Sequence, residues 1–260
     1  APAKPAMTRA AAVREANRCL KCHDAPCITA CPTGIDVPEF IRRIGTGDDR
    51  GAGRKILEAN ILGQSCARVC PVEVLCVGAC VHRMGEAPPI EIGRLQRHAC
   101  DEWLADPESF APPPLNRGSV VCVGGGPASL ACAVELVQRG IRTVVLEKRD
   151  VPGGLNTWGV APYKQTAREA LSEVEWIETL GVEIRCGESV DPGKAPALLD
   201  DNDAVFLGLG LGADRTLDLP GADSEGIHGA TALIEVVKMG GNLELEDITD
   251  AVVIGGGNTA

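Results

Sequence analysis

Aromatic side chains are scarce: one Tyr, three Phe and three Trp among 260 residues. That count does not suit a ring-lined pocket. Positive charge is also short, with 25 Lys and Arg against 36 Asp and Glu, for a net charge of −11. Nonspecific nucleic-acid binding needs a basic face, so that class is excluded. No run of about 18 apolar residues exists, and no membrane span is expected. Residues 1–12 lack the apolar core of a signal peptide, which makes a cytoplasmic protein the expectation. No Ser/His/Asp or paired-carboxylate constellation suggests hydrolysis. The four histidines (His23, His82, His98 and His228) are scattered and read as structural or exposed. Short repeats and low-complexity tracts are missing too.

What is abundant is glycine, at 31 residues, and cysteine, at 12. Glycine permits tight turns and close approach of backbone to a ligand. Hydrophobic residues make up 45%, enough for a packed core, and the length suits about two domains. In a reducing compartment, clustered cysteines are more often metal ligands than disulfides. Eight of the twelve fall between Cys19 and Cys80, and Cys100 lies just beyond. Cys122, Cys132 and Cys186 sit singly in apolar surroundings and read as core residues.

The first hundred residues read as helical, with helices at 8–20, 37–44 and 53–59. A proline-rich stretch, Ala111–Pro114, then reads as a linker. Beyond it the pattern changes. Ser119–Val123 is a buried strand, Pro127–Arg139 a helix and Thr143–Glu147 a second strand, which together make a βαβ unit. Ala204–Leu209 is another buried strand, and a further cycle begins at Ala251–Ile254. The expected fold is an α-helical domain holding two [4Fe–4S] clusters, followed by an α/β Rossmann-type domain. The divisions are 1–110, a linker at 111–118, an incomplete nucleotide-binding domain at 119–247, and the start of a second such domain at 248–260.

The cysteine spacing carries the first chemical signal. One block is Cys19-x2-Cys22-x4-Cys27-x3-Cys31-Pro32. The other is Cys66-x3-Cys70-Pro71 followed by Cys76-x3-Cys80. A four-iron cluster needs several soft thiolates at short spacing around a compact cube. Three close cysteines and a fourth followed by Pro form the ferredoxin pattern, in which the fourth serves the other cluster. Cys19, Cys22 and Cys27 then share one cluster with a cysteine of the second block, and Cys31 joins the other. Structural zinc sites and disulfides are the alternatives, since zinc also accepts four thiolates.

The second signal is Gly124-Gly125-Gly126-Pro127-Ala128-Ser129, which follows a strand and opens a helix. Such glycines let the backbone approach a pyrophosphate resting on the helix N-terminus. Glu147, at the end of the second strand, stands where an acid bonds the adenosine ribose, and Lys148 follows it. A related motif, Gly255-Gly256-Gly257-Asn258-Thr259-Ala260, follows Ile254. One strand and one turn do not make a domain, and Ala1 is not Met. The expectation is therefore a piece of a longer protein.

The run from Glu15 to Cys27, with Ala30–Thr33 and Cys66–Pro71, resembles the N-terminal module of the dihydropyrimidine dehydrogenase family. It is also similar to the glutamate synthase small subunit. Pro89–Arg97 matches the dihydropyrimidine dehydrogenase branch more closely, because Gln96 stands where the other branch tends to carry Glu. The likeness spans essentially the whole chain and is strongest to the electron-input subunit of the bacterial two-subunit enzyme. It implies one cluster on Cys19, Cys22, Cys27 and Cys80, and a second on Cys31, Cys70, Cys76 and Gln96, with Cys66 spare. Cysteine spacing alone leaves Cys66 open as the eighth ligand. The resemblance further implies FAD against Gly153-Gly154-Leu155 and the loop at Gly210. NAD(P)H would bind the domain opened by Gly255 and Gly257.

The expected role is a relay from NAD(P)H through FAD and the clusters to a catalytic partner. That partner is an FMN-containing pyrimidine-reducing subunit or, as the rival reading, a glutamate synthase large subunit. A zinc-stabilised, noncatalytic nucleotide-binding scaffold is the alternative from another class.

Overall fold

The computed structural model describes residues 3–107, 111–212, 214, 218, 220–222, 224–241 and 248–256. In chain order the helical part comprises α1 (Arg9–Asn17), α2 (Pro26–Thr29), α3 (Val37–Gly45), α4 (Asp49–Ala59), α5 (Gly63–Val69) and α6 (Ile92–Ala105). The α/β part comprises β1 (Ser119–Val123), α7 (Pro127–Gln138), β2 (Arg142–Glu147), α8 (Leu155–Trp158) and α9 (Ala167–Thr179). It continues with β3 (Glu183–Cys186), α10 (Ala195–Asp201), β4 (Ala204–Leu207) and α11 (Ala230–Lys238).

Local sequence explains the helix starts. Asp36 caps α3 by accepting the Glu39 N–H at 3.2 Å, and Asp48 caps α4 by accepting the Gly51 N–H at 2.9 Å. Each satisfies an N–H that has no partner inside the helix. Helix α4 therefore begins at Asp49, four residues before the expected start, because Asp48 supplies the cap. Thr166 and Glu169 form a reciprocal capping box on α9. In α3, Val37, Phe40, Ile41 and Ile44 fall at i, i+3, i+4 and i+7, and all four are buried. Gly53 lets α4 cross α6 closely: a Cβ there would lie 2.6 Å from the Ala99 carbonyl oxygen.

The four strands form one parallel sheet in the order β3-β2-β1-β4. The chain steps outward from β1 on one side and returns on the other, so the order reverses between β1 and β4. In open parallel sheets, ligands bind at the carboxyl ends of the strands at such a point.

Two large apolar cores result, beside a smaller cluster of Val121, Val144 and Leu146 on the sheet. The first gathers Phe40, Ile41, Ile44, Ile56 and Leu95 around the cysteine loops. The second lies beneath the sheet and includes Val120, Cys122, Leu130, Val145 and Ile177. Leu57, Leu62 and Trp103 of the helical part also belong to this second core. Trp103 meets Trp176 edge-on, with centroids 6.2 Å apart and planes at 76°.

Several expectations need correction. Strand β4 ends at Leu207 and is only half-buried, because it lies at the sheet edge with β1 as its one neighbour. Residues 251–254 form no strand, and Val252 is 89% exposed, with no sheet neighbour to pair with. Cys186 ends an outer strand and is exposed, whereas Cys122 is buried and Cys132 is half-buried. Among the described residues no helix is long and apolar enough to cross a membrane.

Candidate functional site

The cysteines gather into two neighbouring sets. Cys19, Cys22, Cys27 and Cys80 line one apolar recess, whose walls include Pro26, Val37, Pro38, Ile41, Ile90 and Ile92. Burial raises the Cys19 and Cys27 thiols, Cys27 to about 11, and the charges of their cysteine neighbours add to that. Cys31, Cys66, Cys70 and Cys76 form the second set. Burial pushes Cys76 to about 11, with Cys31, Cys27 and Cys66 close enough to contribute. Cys66 on α5 and Cys70 at its C-terminal cap are one helical turn apart; their mutual interaction raises Cys66 and lowers Cys70. The influence of Cys27 on Cys76 places the two sets side by side.

Gln96, 5% exposed, belongs to the second set. Its Nε2 donates to the Gly63 carbonyl at 3.0 Å, and its amide lies close enough to the Cys66 thiol to oppose the rise of that thiol's pKa. The structure thus brings both candidates for the eighth ligand, Cys66 and Gln96, to one place.

The donor chemistry fits iron–sulfur clusters. Buried thiols crowded together resist ionisation, and a bound metal reverses that by stabilising thiolate. Among the described residues, no group of three or more His, Cys, Asp or Glu side chains is gathered to hold a single metal ion. A four-iron cube takes its thiolates at separate corners and does not ask them to converge on one point.

The nucleotide motif sits at the carboxyl edge of the sheet. Gly124 follows β1 with φ +95°, and a Cβ there would lie 2.5 Å from the Gly208 carbonyl oxygen. Gly126 is the N-cap of α7, and Pro127 occupies the first turn. Across from it, Gly153 donates its N–H to the Gly125 carbonyl at 2.8 Å. Gly154 has φ +56°, and its added Cβ would fall 2.7 Å from the Gly126 Cα. Gly126 differs from these. Its backbone is ordinary (φ −83°, ψ 177°), and a Cβ there would find nothing nearer than 4.0 Å. Neither strain nor crowding within the chain demands glycine at 126. A ligand pressed against the α7 N-terminus would, and a dinucleotide pyrophosphate fits that place.

Ser129 is fully buried where α7 passes β4; a Cβ on Gly208 would strike its Oγ at 2.0 Å. Glu147, 7% exposed, accepts the Gly125 N–H at 2.6 Å and the Arg149 N–H at 2.9 Å. It therefore braces the glycine loop, and each oxygen keeps a second lone pair. Ala128, Lys148, Leu155 and Gly210 are exposed around this edge. Gly255 is exposed with φ +117°, and Gly257 lies outside the described residues.

A seam joins the two halves, and the sequence reading missed it. Arg68 on α5 is 4% exposed and reaches Asp101 at 2.7 Å and Glu169 at 2.8 Å. Glu173 on α9 accepts the Gln64 N–H at 2.8 Å and the Ser65 hydroxyl at 2.5 Å. Gln165 donates to the same Ser65 oxygen at 2.6 Å. Helix α5, which carries Cys66 and ends at Cys70 of the second cysteine set, is thereby fastened to the α/β part. Glu173 did leave a trace in the sequence, for it shares the stripe of Ala170, Val174 and Ile177.

Residues 118–260 match the family described as pyridine nucleotide-disulphide oxidoreductase, and the chain belongs to it. Residues 2–107 match a second family, the dihydropyrimidine dehydrogenase domain II with a 4Fe–4S cluster. These families bring iron–sulfur, FAD and nicotinamide chemistry to the two halves. Among curated proteins, the chain is 36% identical to the NAD-dependent dihydropyrimidine dehydrogenase subunit PreT of Escherichia coli K12, covering 98% of this chain and 62% of that one. The PreT subunit of Salmonella typhimurium is 35% identical over the same shares. The chain thus spans about three-fifths of the length of these relatives. A solved structure of 2-naphthoyl-CoA reductase aligns with 72% of the chain at TM-score 0.40 and 20% identity.

Proposed function

We propose that this chain is the electron-input part of a dihydropyrimidine dehydrogenase, passing electrons from NAD(P)H by way of FAD and two [4Fe–4S] clusters to a pyrimidine-reducing partner. The observation that carries the reading is the pair of adjoining cysteine sets, one fastened by α5 to the flavin half. Bound FAD would supply hydride acceptance from a nicotinamide and release of single electrons, and the clusters would supply one-electron carriers.

The residues divide the work. Gly124, Gly126 and the α7 N-terminus hold the pyrophosphate, with Pro127, Ala128 and Ser129 forming the first turn. Glu147 and Lys148 flank the ribose, while Gly153, Gly154, Leu155 and Gly210 line the flavin. Cys31, Cys70, Cys76 and Gln96 would hold the cluster nearer the seam, on the side of the flavin half. Cys19, Cys22, Cys27 and Cys80 hold the farther one beside Leu20, which is 65% exposed and suits delivery outward. Gly255 and Gly257 contribute to the nicotinamide site. The partner is an FMN-containing subunit and the setting cytoplasmic. The PreT relatives favour this reading over the glutamate synthase one.

Metal analysis of anaerobically purified protein tests it. Two four-iron clusters require about eight irons and about eight acid-labile sulfides per chain, with broad absorption near ~400 nm beside the flavin bands. Stoichiometric zinc without sulfide, from iron-replete cells, would overturn it.

A further inference from the structure

The seam contains a carboxylate whose surroundings are unusual. Glu173 is 0% exposed, and no cation lies within ion-pairing distance of it among the described residues. Its partners are neutral: the N–H groups of Gln64 and Ser65, and the Ser65 hydroxyl. Two further polar atoms, the side-chain carbonyl oxygens of Gln64 and Gln165, are buried nearby without a partner. An ionised carboxylate in such a place is costly unless paired. Burial raises its pKa to about 7, against the opposing pull of those hydrogen bonds and of Arg68.

The position matters as much as the burial. Glu173 bonds the first turn of α5, and the same short helix carries Cys66 and leads into Cys70. An electron arriving at that cysteine set would add negative charge at the C-terminal end of the short helix whose first turn the carboxylate bonds. Two like charges there disfavour each other, and protonation of the carboxylate relieves the conflict.

We propose that Glu173 is the redox-linked proton acceptor of the iron–sulfur centre at the C-terminal end of α5, binding a proton from water as that centre gains an electron and releasing it as the electron moves on. The proposal rests on the cluster assignment above. The electron comes from reduced flavin, and the proton bonds a Glu173 carboxylate oxygen, so the two charges cancel locally.

The other groups facing the seam do not take this role. From α5, Arg68 is committed to Asp101 and Glu169. From α6, Arg97 pairs with Asp101, and burial holds the Cys100 thiol well above its ordinary range. Glu169, on α9 itself, is raised by burial but held below its usual range by the Thr166 N–H and Arg68. Lys238, lowered by burial to about 8, faces Glu169 and donates to the Asn156 carbonyl. From the N-terminal stretch, Lys4 donates to the Cys70 carbonyl.

The test is a mediated redox titration of the full chain, followed by electron paramagnetic resonance, at several values from about pH 6 to about pH 9. One of the two clusters should become easier to reduce as pH falls. At full coupling its equilibrium constant for reduction shifts about tenfold per pH unit, one proton per electron. Glu173→Gln, equal in shape and uncharged, should keep iron and flavin, flatten the pH dependence and leave that cluster at its low-pH potential. Glu173→Asp should restore a slope. A wild-type protein with about eight irons and pH-independent potentials would overturn the proposal alone. So would a Glu173→Gln protein that keeps the slope. A wild type without cluster signals would overturn the cluster assignment and this proposal with it.

Discussion

Gly126 and Gly154 face each other across the nucleotide edge, and alanine at the two positions should have opposite consequences. At Gly126 the backbone is extended and the space beside it open. Alanine at an N-cap costs about 0.5–1 kcal/mol relative to glycine. Restricting the unfolded chain returns about 0.4–1 kcal/mol. The fold should therefore change by less than ~1 kcal/mol. The flavin should not escape so lightly. Hydrogen bonds from backbone N–H groups to a charged pyrophosphate contribute roughly 1.5–3 kcal/mol each. A methyl group that holds the phosphates away from one or two of them costs about 3 kcal/mol, or about a hundredfold in Kd.

Gly154→Ala is the converse. Its φ of +56° with ψ −141° suits glycine alone, and the new Cβ would press on Gly126 Cα at 2.7 Å. Backbone strain of about 1–3 kcal/mol and a similar amount for overpacking lower Tm by roughly 10 °C. Flavin fluorescence titration of deflavinated protein and thermal unfolding of the same samples separate the two effects. If Gly126→Ala bound FAD within about threefold of the wild type, the pyrophosphate assignment would be wrong.

The choice between Gln96 and Cys66 is equally open to experiment. Gln96→Ala should lose or convert one cluster, while Cys66→Ser leaves both, read by iron content and electron paramagnetic resonance of the reduced protein; the reverse pattern refutes Gln96 as ligand. Arg68→Ala should cost about 2 kcal/mol in urea unfolding, because Asp101 and Glu169 lose the nearer of their two arginines and keep only Arg97. The same substitution should separate the unfolding of the two halves, and a single unshifted transition would show that the seam does not couple them.

Much of this was readable in the chain because the signals are local. Cysteines three to five positions apart announce a ligand loop, and a strand followed by three glycines and a helix announces a phosphate site. The grouping of Cys80 with the first block, some fifty residues away, came only through family resemblance. The seam was not readable, since Glu173 and Gln64 are 109 positions apart. A glutamate on a helix ordinarily reads as surface. Only its place on an apolar stripe marks Glu173, and no local pattern names its partner. Residues 204–209 and 251–254 misled for a related reason. Their apolar, β-branched content has strand propensity, but burial depends on neighbours that propensity does not encode.

The charged seam also governs how these halves can be recombined. Cut between residues 107 and 118, the chain would yield an iron–sulfur piece with Arg68 stripped of Glu169, and a flavin piece with Glu173 stripped of α5. Each piece would also bare one ring of the Trp103–Trp176 pair. A chimera that grafts this iron–sulfur half onto another flavoprotein must therefore import α9 and Gln165 together with α5. The exchangeable unit is set by those contacts, and the proline-rich linker marks only where the chain passes from one half to the other.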